Sequence, residues 1–442
     1  MTTTVLQVPS LSSNSTTTHG FQATRKMSEF TGIQYLKMDV ASGFGLDKED
    51  WSVRLFWFDE MEASGAFSTA EGIGKLLQEA DKPVQFLAAL KAYYETMEGK
   101  PVGHLISLDA TASCIQILSL LIGCEKSASH CNVVNTGHRV DPYTILPAII
   151  RDKGIAKGIE QAFSLARSVS KQAIMTAFYG SKKLPKDLFD PMGMLDLFYE
   201  TMNQETPGAW KLNEVIMELW DPTISRYEWV LPDNFHAGFN VEVGETTYVR
   251  ALGEVIAVHR TVVASTEKGK ALCPNLVHSI DGYIVRELTR RAKHDPEVLG
   301  HVLKLISGFS GSRVCDTISH DMVQTLLEHF RYSGMLSARI LDHLDRNTIR
   351  YVQKEEGAME ALYELCMSMP DKPFEVIAVH DCFRVHANNG NALRRIYNQV
   401  LSEIAKSNLL QFTVSQAVGK LVPKVKISDL SQAVLEADYA LA

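Results

Sequence analysis

Residues 167–181, RSVSKQAIMTAFYGS, decide how the rest of the chain is read. Wound as an α-helix, Arg167, Lys171, Met175 and Phe178 fall at i, i+4, i+8 and i+11 on one face, and Tyr179 and Gly180 close its far end. The two cations then stand one turn apart, about 6 Å along the axis at 1.5 Å per residue. That spacing suits a triphosphate. A basic helical face also serves as an ordinary solvated surface, so the surrounding chain has to decide between the two.

Working outward, charge comes first. The 442-residue chain carries a formal charge of -8, which argues against non-specific coating of nucleic acid but says little about a local groove. Between Arg151 and Lys186 eight Lys or Arg stand against two acids, Asp152 and Glu160, so the basic charge gathers around the opening helix. An apolar content of 45% is ample for a buried core, and the length allows two or three domains. Seven cysteines, an odd number without a CxxC pair, read as reduced thiols rather than a zinc ribbon or a disulfide framework. No secretory signal is apparent, and the most apolar run, around Ile115 to Ile122, is too short to span a bilayer. A soluble, cytoplasmic protein with no membrane partner is expected.

Residues 1–27 form a polar tail that is not expected to pack. From Phe30 to Glu98 the apolar spacing predicts helices, with Trp51, Phe56, Trp57 and Phe58 used for core packing rather than base stacking. HLISLD (104–109) reads as a short buried strand ending in an acid, followed by the helical ATASCIQILSLLIG. Asp109 is then either a metal ligand at a strand end or a helix cap. Residues 130–143 are a turn-rich connection, and residues 239–263 predict a hairpin of ten-residue strands. Pro274 is expected to break the chain before a helix bearing His278 and Asp281. A long helical stretch containing SGFSGSR (307–313) fills about 290–372. FEVIAVHDCFRVHA (374–387) then alternates as a strand or tight hairpin with His380 and Asp381 at its centre.

Two strand-borne acids, Asp109 and Asp381, flanking a basic helix in that order can bridge two Mg²⁺ ions, with the helix cations neutralising a triphosphate. The motifs also resemble the single-subunit RNA polymerases of bacteriophages and mitochondria. DATASCIQ (109–116) is similar to their first palm motif, with Asp109 as metal ligand and Gln116 in place. RSVSKQAIMTAFYGS is similar to their fingers motif, PNLVHSIDG (274–282) to a third segment, and HDCF (380–383) to their HDSF, which supplies the second metal ligand, Asp381. EADYALA (436–442) resembles their aromatic-rich carboxyl end, which folds back near the active site.

This resemblance implies an α/β, mostly helical fold: a right-hand palm with a small antiparallel sheet, helical fingers, and no N-terminal domain or thumb. It divides the chain into palm-adjacent helices and the first palm strand (28–130), fingers (131–275), and palm with the helical insertion and a C-terminal foot (276–442). Asp109, Asp381, Lys171, Tyr179 and His278 become catalytic expectations, with Arg167, Lys171, Met175, Tyr179, Gly180, His278 and His380 contacting substrate. Tyr179 and His278 would sense the ribose 2′-hydroxyl. The implied partners are a DNA template, nascent RNA and ribonucleoside triphosphates, in the cytoplasm of an infected bacterial host.

Departures accompany the likeness. Cys114 and Ile117 stand where the family commonly has Gly and His, and the 290–372 stretch is longer than expected. An Asp-x-x-Gly-Arg motif is absent from the sequence, which suggests a split enzyme resembling the heterodimeric phage RNA polymerases, with a second polypeptide supplying it; a shortened chain is the alternative. The competing functions are a DNA polymerase of the related palm class and a non-catalytic transcription factor of polymerase-like fold. Residues 110–116 lack the Glu typical of the first, and the presence of Asp109, Asp381 and Lys171 argues against the second.

Overall fold

The computed structural model describes residues 26–251, 254–266, 271–309 and 313–442. These residues are mostly helical, with three small antiparallel sheets, in agreement with the expected fold class. The strands are β1 (Ile106–Asp109), β2 (Arg226–Val230), β3 (His236–Asn240), β4 (Glu242–Ala251), β5 (Glu254–Val263), β6 (Ile377–Val379) and β7 (Cys382–Val385). They pair as β1-β7-β6, β2-β3 and β4-β5.

The β1-β7-β6 sheet positions everything that follows. Alternation along β1 buries Ile106 and Leu108 and leaves Ser107 and Asp109 on the open face. On β7, Phe383 and Val385 are likewise buried, and the register sets Asp109 opposite Cys382. Val379 pairs with Cys382, so His380 and Asp381 form a two-residue turn. Asp381 therefore sits in the turn, as the tight-hairpin reading has it, and not inside a continuous strand. His380 adopts φ +57°, a left-handed backbone costing a non-glycine residue about 1–2 kcal/mol. The amide of Ala110 reaches across to the Asp381 carbonyl (3.1 Å), tying the turn to the end of β1.

Asp109 also exchanges backbone hydrogen bonds with Ala442 (3.2 and 3.0 Å), so the EADYALA segment folds back onto the end of β1 as the motif implied. Asp109 is not a helix cap. The following helix, Ser113–Ile122, starts from Ala112 in a left-handed conformation (φ +53°) with no side-chain cap. Every residue from Cys114 to Ile122 in that helix is buried. Gln116, fully buried, donates to the carbonyls of Cys131 and Ala440 (2.9 Å each) and accepts from the Tyr397 hydroxyl (2.8 Å).

The amino-terminal pattern folds as four helices, Gly32–Ala41, Trp51–Ala63, Ala70–Glu79 and Pro83–Met97. Trp51 and Phe58 are buried as expected, but Phe56 is 67% exposed. The expected tail lies outside the described residues up to position 25, and Met27, assigned to it, is buried. The hairpin of residues 239–263 forms as β4 and β5, ten pairs in register; the β2-β3 hairpin before it was not anticipated. Pro274 does not precede its helix. It lies in the first turn of Leu272–Ala292, where an N–H is not owed to the helix.

The 290–372 stretch forms helices Pro296–Ile306, Thr317–Ser333, Ile349–Lys354 and Ala358–Met367 around a core of their own, separate from the main one. Residues 310–312 of SGFSGSR lie outside the described residues. Buried polar bonds fasten this unit to the long helix. Glu287 accepts from Ser337 Oγ (2.5 Å) and Ala338 N (2.9 Å), while Asp233 binds Arg286 (2.6 Å) and Arg290 (2.8 Å), and its carbonyl takes Arg339 (2.9 Å).

Gln116→Leu strands two buried carbonyls and one hydroxyl, each costing about 1–3 kcal/mol unmade. The expected result is a melting temperature lower by several degrees in a thermal scan; an unchanged melting temperature would contradict this role.

Candidate active site

The helix quoted at the outset runs Arg167–Phe178 and presents an exposed Lys171 and a half-buried Met175. Phe178 shares that helical angle but not its exposure. It is buried edge-on against Trp210, with ring centroids 5.3 Å apart. Tyr179 caps the helix, and Gly180 turns the chain away at φ +77°. The Tyr179 ring lies 4.9 Å from that of His278, on the long helix Leu272–Ala292. Burial raises the Tyr179 phenol well above its ordinary pKa, and the nearby carboxyls of Asp281 and Asp381 push it the same way. It therefore stays protonated and able to donate at neutral pH.

The two cations have protein partners. Arg167 Nε donates to Asp141 (2.6 Å), and the Lys171 ammonium sits 5.5 Å from the Tyr143 ring centroid. Asp141 and Tyr143 belong to the 130–143 connection, read from sequence only as turns. Their DPY run is a helix start, with Asp141 as the cap and Pro142 in the first turn. That cap also braces the basic helix.

The carboxylates meet at the sheet. Asp109 opens onto the cleft but is crowded by protein; desolvation, then the Asp381 charge, push its carboxyl up to about 6, against the pull of Lys48 and Arg139. Asp281, one turn beyond His278, is pushed up to about 6 by burial and then by Asp381. His278 is held below its usual value by burial and by His380. Asp109, Asp381, Tyr179, His278 and His380 thus lie within one electrostatic neighbourhood. Sequence reasoning assigned no role there to Lys48, Arg139, Asp141, Tyr143 or Asp281. Only Asp281 carried a signal, its i+3 spacing from His278.

Among the described residues no three His, Cys, Asp or Glu side chains converge as a metal cluster. Two carboxylates with mutually unfavourable charge offer hard oxygen donors. That set fits a Mg²⁺-like ion, which completes its shell with water and phosphate oxygens. No helix among the described residues is long and apolar enough to cross a membrane.

The sequence is similar to that of known proteins. Residues 26–187 match the family model described as DNA-dependent RNA polymerase, a span that includes β1 and the basic helix but neither His278 nor Asp381. The chain is 24% identical over 300 residues to the DNA-directed RNA polymerase of Pseudomonas phage phiKMV, covering 57% of this chain and 37% of that protein. It is 29% identical over 164 residues to the mitochondrial DNA-directed RNA polymerase of Schizosaccharomyces pombe, covering 34% of this chain and 14% of the relative. The resemblance to RNA polymerases of the phage and mitochondrial type, carried in the motifs, is borne out. The chain spans little more than a third of the phage relative's length. A second polypeptide finds no support in these comparisons.

The raised carboxyls set a pH test. A carboxyl whose pKa is higher folded than unfolded adds stability that is complete below about 4 and is lost as pH rises through about 6. In chelator, Asp109→Asn should melt with the wild type at pH 4 and above it at pH 7. An equal difference at both pH values would contradict the charge clash.

Proposed function

We propose that the chain is the catalytic portion of a template-directed, DNA-dependent RNA polymerase that joins ribonucleoside triphosphates by two-Mg²⁺ chemistry. The single observation that carries the reading is the meeting of Asp109 and Asp381 across β1 and β7, beside a helix bearing Lys171 and Tyr179. On this reading the palm comprises the sheet and its backing helices, and the fingers extend from about 131 to 275.

Asp109 and Asp381 would hold the metal ions, which would lower the charge barrier to attack of a 3′-hydroxyl on the α-phosphate as the α–β phosphoanhydride bond breaks and pyrophosphate leaves. Lys171 offers its ammonium to the triphosphate. Arg167 does the same on exchanging Asp141 for phosphate, and Met175 and Gly180 shape the floor beneath the nucleotide. Tyr179 and His278 form a tilted ring pair whose polar atoms select a ribose by its 2′-hydroxyl. A site built to bond a hydroxyl discriminates by up to ~10⁴ against its absence. His380, in the turn beside Asp381, borders the same substrate. The β4-β5 hairpin, with exposed Tyr248, Arg250 and Ile256, is a structural hairpin or a DNA-reading one.

With primed template, Mg²⁺ and ribonucleotides, Asp381→Asn should abolish extension while leaving template affinity unchanged; appreciable residual synthesis would defeat the two-metal reading. Tyr179→Phe should incorporate deoxynucleotides at the expense of ribose selectivity, read by competing the two sugars. Unchanged selectivity would remove Tyr179 from that role.

A further inference from the structure

The far end of the basic helix is held from outside by two other helices. Beyond Phe178 the turn closes on itself: the amides of Tyr179 and Ser181 donate to the Thr176 carbonyl (3.0 and 2.9 Å), and that of Gly180 donates to the Ala177 carbonyl (2.9 Å). The last carbonyls of a helix have no partner farther along it, so bonds from other segments fix how it ends. Asn213 Nδ2, on helix Pro207–Glu218, donates to the Ala177 carbonyl (3.3 Å). The Cys114 thiol, on helix Ser113–Ile122, donates to the Phe178 carbonyl (3.8 Å). These carbonyls belong to the two residues immediately before Tyr179. Trp210, one turn before Asn213, packs edge-on against the Phe178 ring.

Stability alone does not account for the two donors. Both side chains are buried. Asn213 Oδ1 is shielded from water and has no partner, so the bond to Ala177 is what orients the amide. A buried amide with one group unmade costs stability, and leucine would fill a similar volume without that cost. A thiol is a weak donor, but burial keeps the Cys114 proton in place, so it remains one. Cys114 also stands five residues after Asp109, which joins the helix end carrying Tyr179 to the segment carrying the candidate metal carboxylate. It departs from the motif's common glycine, which has no side-chain donor to offer.

We infer that Cys114 and Asn213 are positioning residues for Tyr179, setting the angle of its ring to the nucleotide sugar and so the strictness of ribose selection. The inference rests on the ribose-selecting reading of Tyr179. A ring mounted on a helix end moves with the last carbonyls, and a displacement of about 1 Å is enough to spoil a productive geometry. His278, carried by another helix, does not share that mount. Bond formation does not pass through the 2′-hydroxyl, so loss of a brace alters the choice between sugars more than the addition of a ribonucleotide.

The test is competition between a ribonucleotide and its deoxy counterpart on a primed template with Mg²⁺, for the full chain and for Cys114→Ala, Cys114→Ser, Asn213→Leu and Tyr179→Phe, with a thermal melt of each. Displacement of a fluorescent ribonucleoside triphosphate by the two nucleotides gives the same preference without synthesis, so it separates a failure of this inference from a failure of the polymerase reading. Cys114→Ala and Asn213→Leu should lower the ribose preference about threefold or more, the size of one ordinary hydrogen bond, with ribonucleotide addition within about twofold of the wild type. Cys114→Ser, which keeps a donor, should recover most of the preference. In the Tyr179→Phe background Cys114→Ala should lower it no further, because the brace acts through that ring. A lower melting temperature with unchanged sugar preference would make both residues structural supports and overturn the inference. A Cys114→Ala effect that adds in full to that of Tyr179→Phe would overturn it too. If Tyr179→Phe keeps the wild-type preference, the ribose reading falls and the inference with it. If Tyr179→Phe loses the preference while both brace variants keep it, only the inference falls. The Cys114 variants decide the outcome should Asn213→Leu fail to fold.

Discussion

Antiparallel pairing of β1 with β7 is the constraint on which the rest depends. Its register brings two acids separated by 272 positions in the chain to one sheet end, because Asp109 pairs opposite Cys382 and Asp381 is the residue before it. Two carboxylates in one crowded cleft repel, and the fold does not relieve that by spacing them apart. It clamps them with backbone bonds to Ala442 and from Ala110 to the Asp381 carbonyl. The buried helix Ser113–Ile122, held through Gln116 to Ala440 and Tyr397, keeps those clamps in place. The cost of holding like charges together is met by packing and hydrogen bonds elsewhere.

The charge distribution follows the same logic. A chain with net charge -8 still gathers cations locally: Lys171 on the basic helix, and Lys48, Lys82, Arg139 and Arg384 in the cavity that Asp109 also lines. The inserted unit of residues 296–367 is fastened through Glu287, further along the long helix than His278, and through Asp233, in the connection between β2 and β3. Its own core lets it pack without altering the sheet.

Much of this was legible in order along the chain. The strand ending at Asp109, the basic helix, the ten-residue hairpin and the HD turn each announce themselves through local periodicity or turn chemistry, which act over a few residues. What was not legible depends on contacts between distant segments. Arg167 falls to Asp141, and Lys48 and Arg139 act on Asp109 from turn and loop positions that look like ordinary surface. Phe178 shares a helical angle with Lys171 yet is buried, because Trp210 occupies the end of that helix. Phe56 sits among core aromatics in sequence but lies on the outer side of its helix. Periodicity tells which residues share a face, and only tertiary packing tells which way the face points.

The central claim is that Asp109, Asp381 and the basic helix form one template-reading centre for nucleotide addition. Single-nucleotide incorporation opposite each of the four template bases, by the purified chain with Mg²⁺ and any copurifying polypeptide, tests it most directly. The account requires the added ribonucleotide to follow the template base and addition to stop in Asp109→Asn. Addition that ignores the template, or survives that substitution, would contradict it.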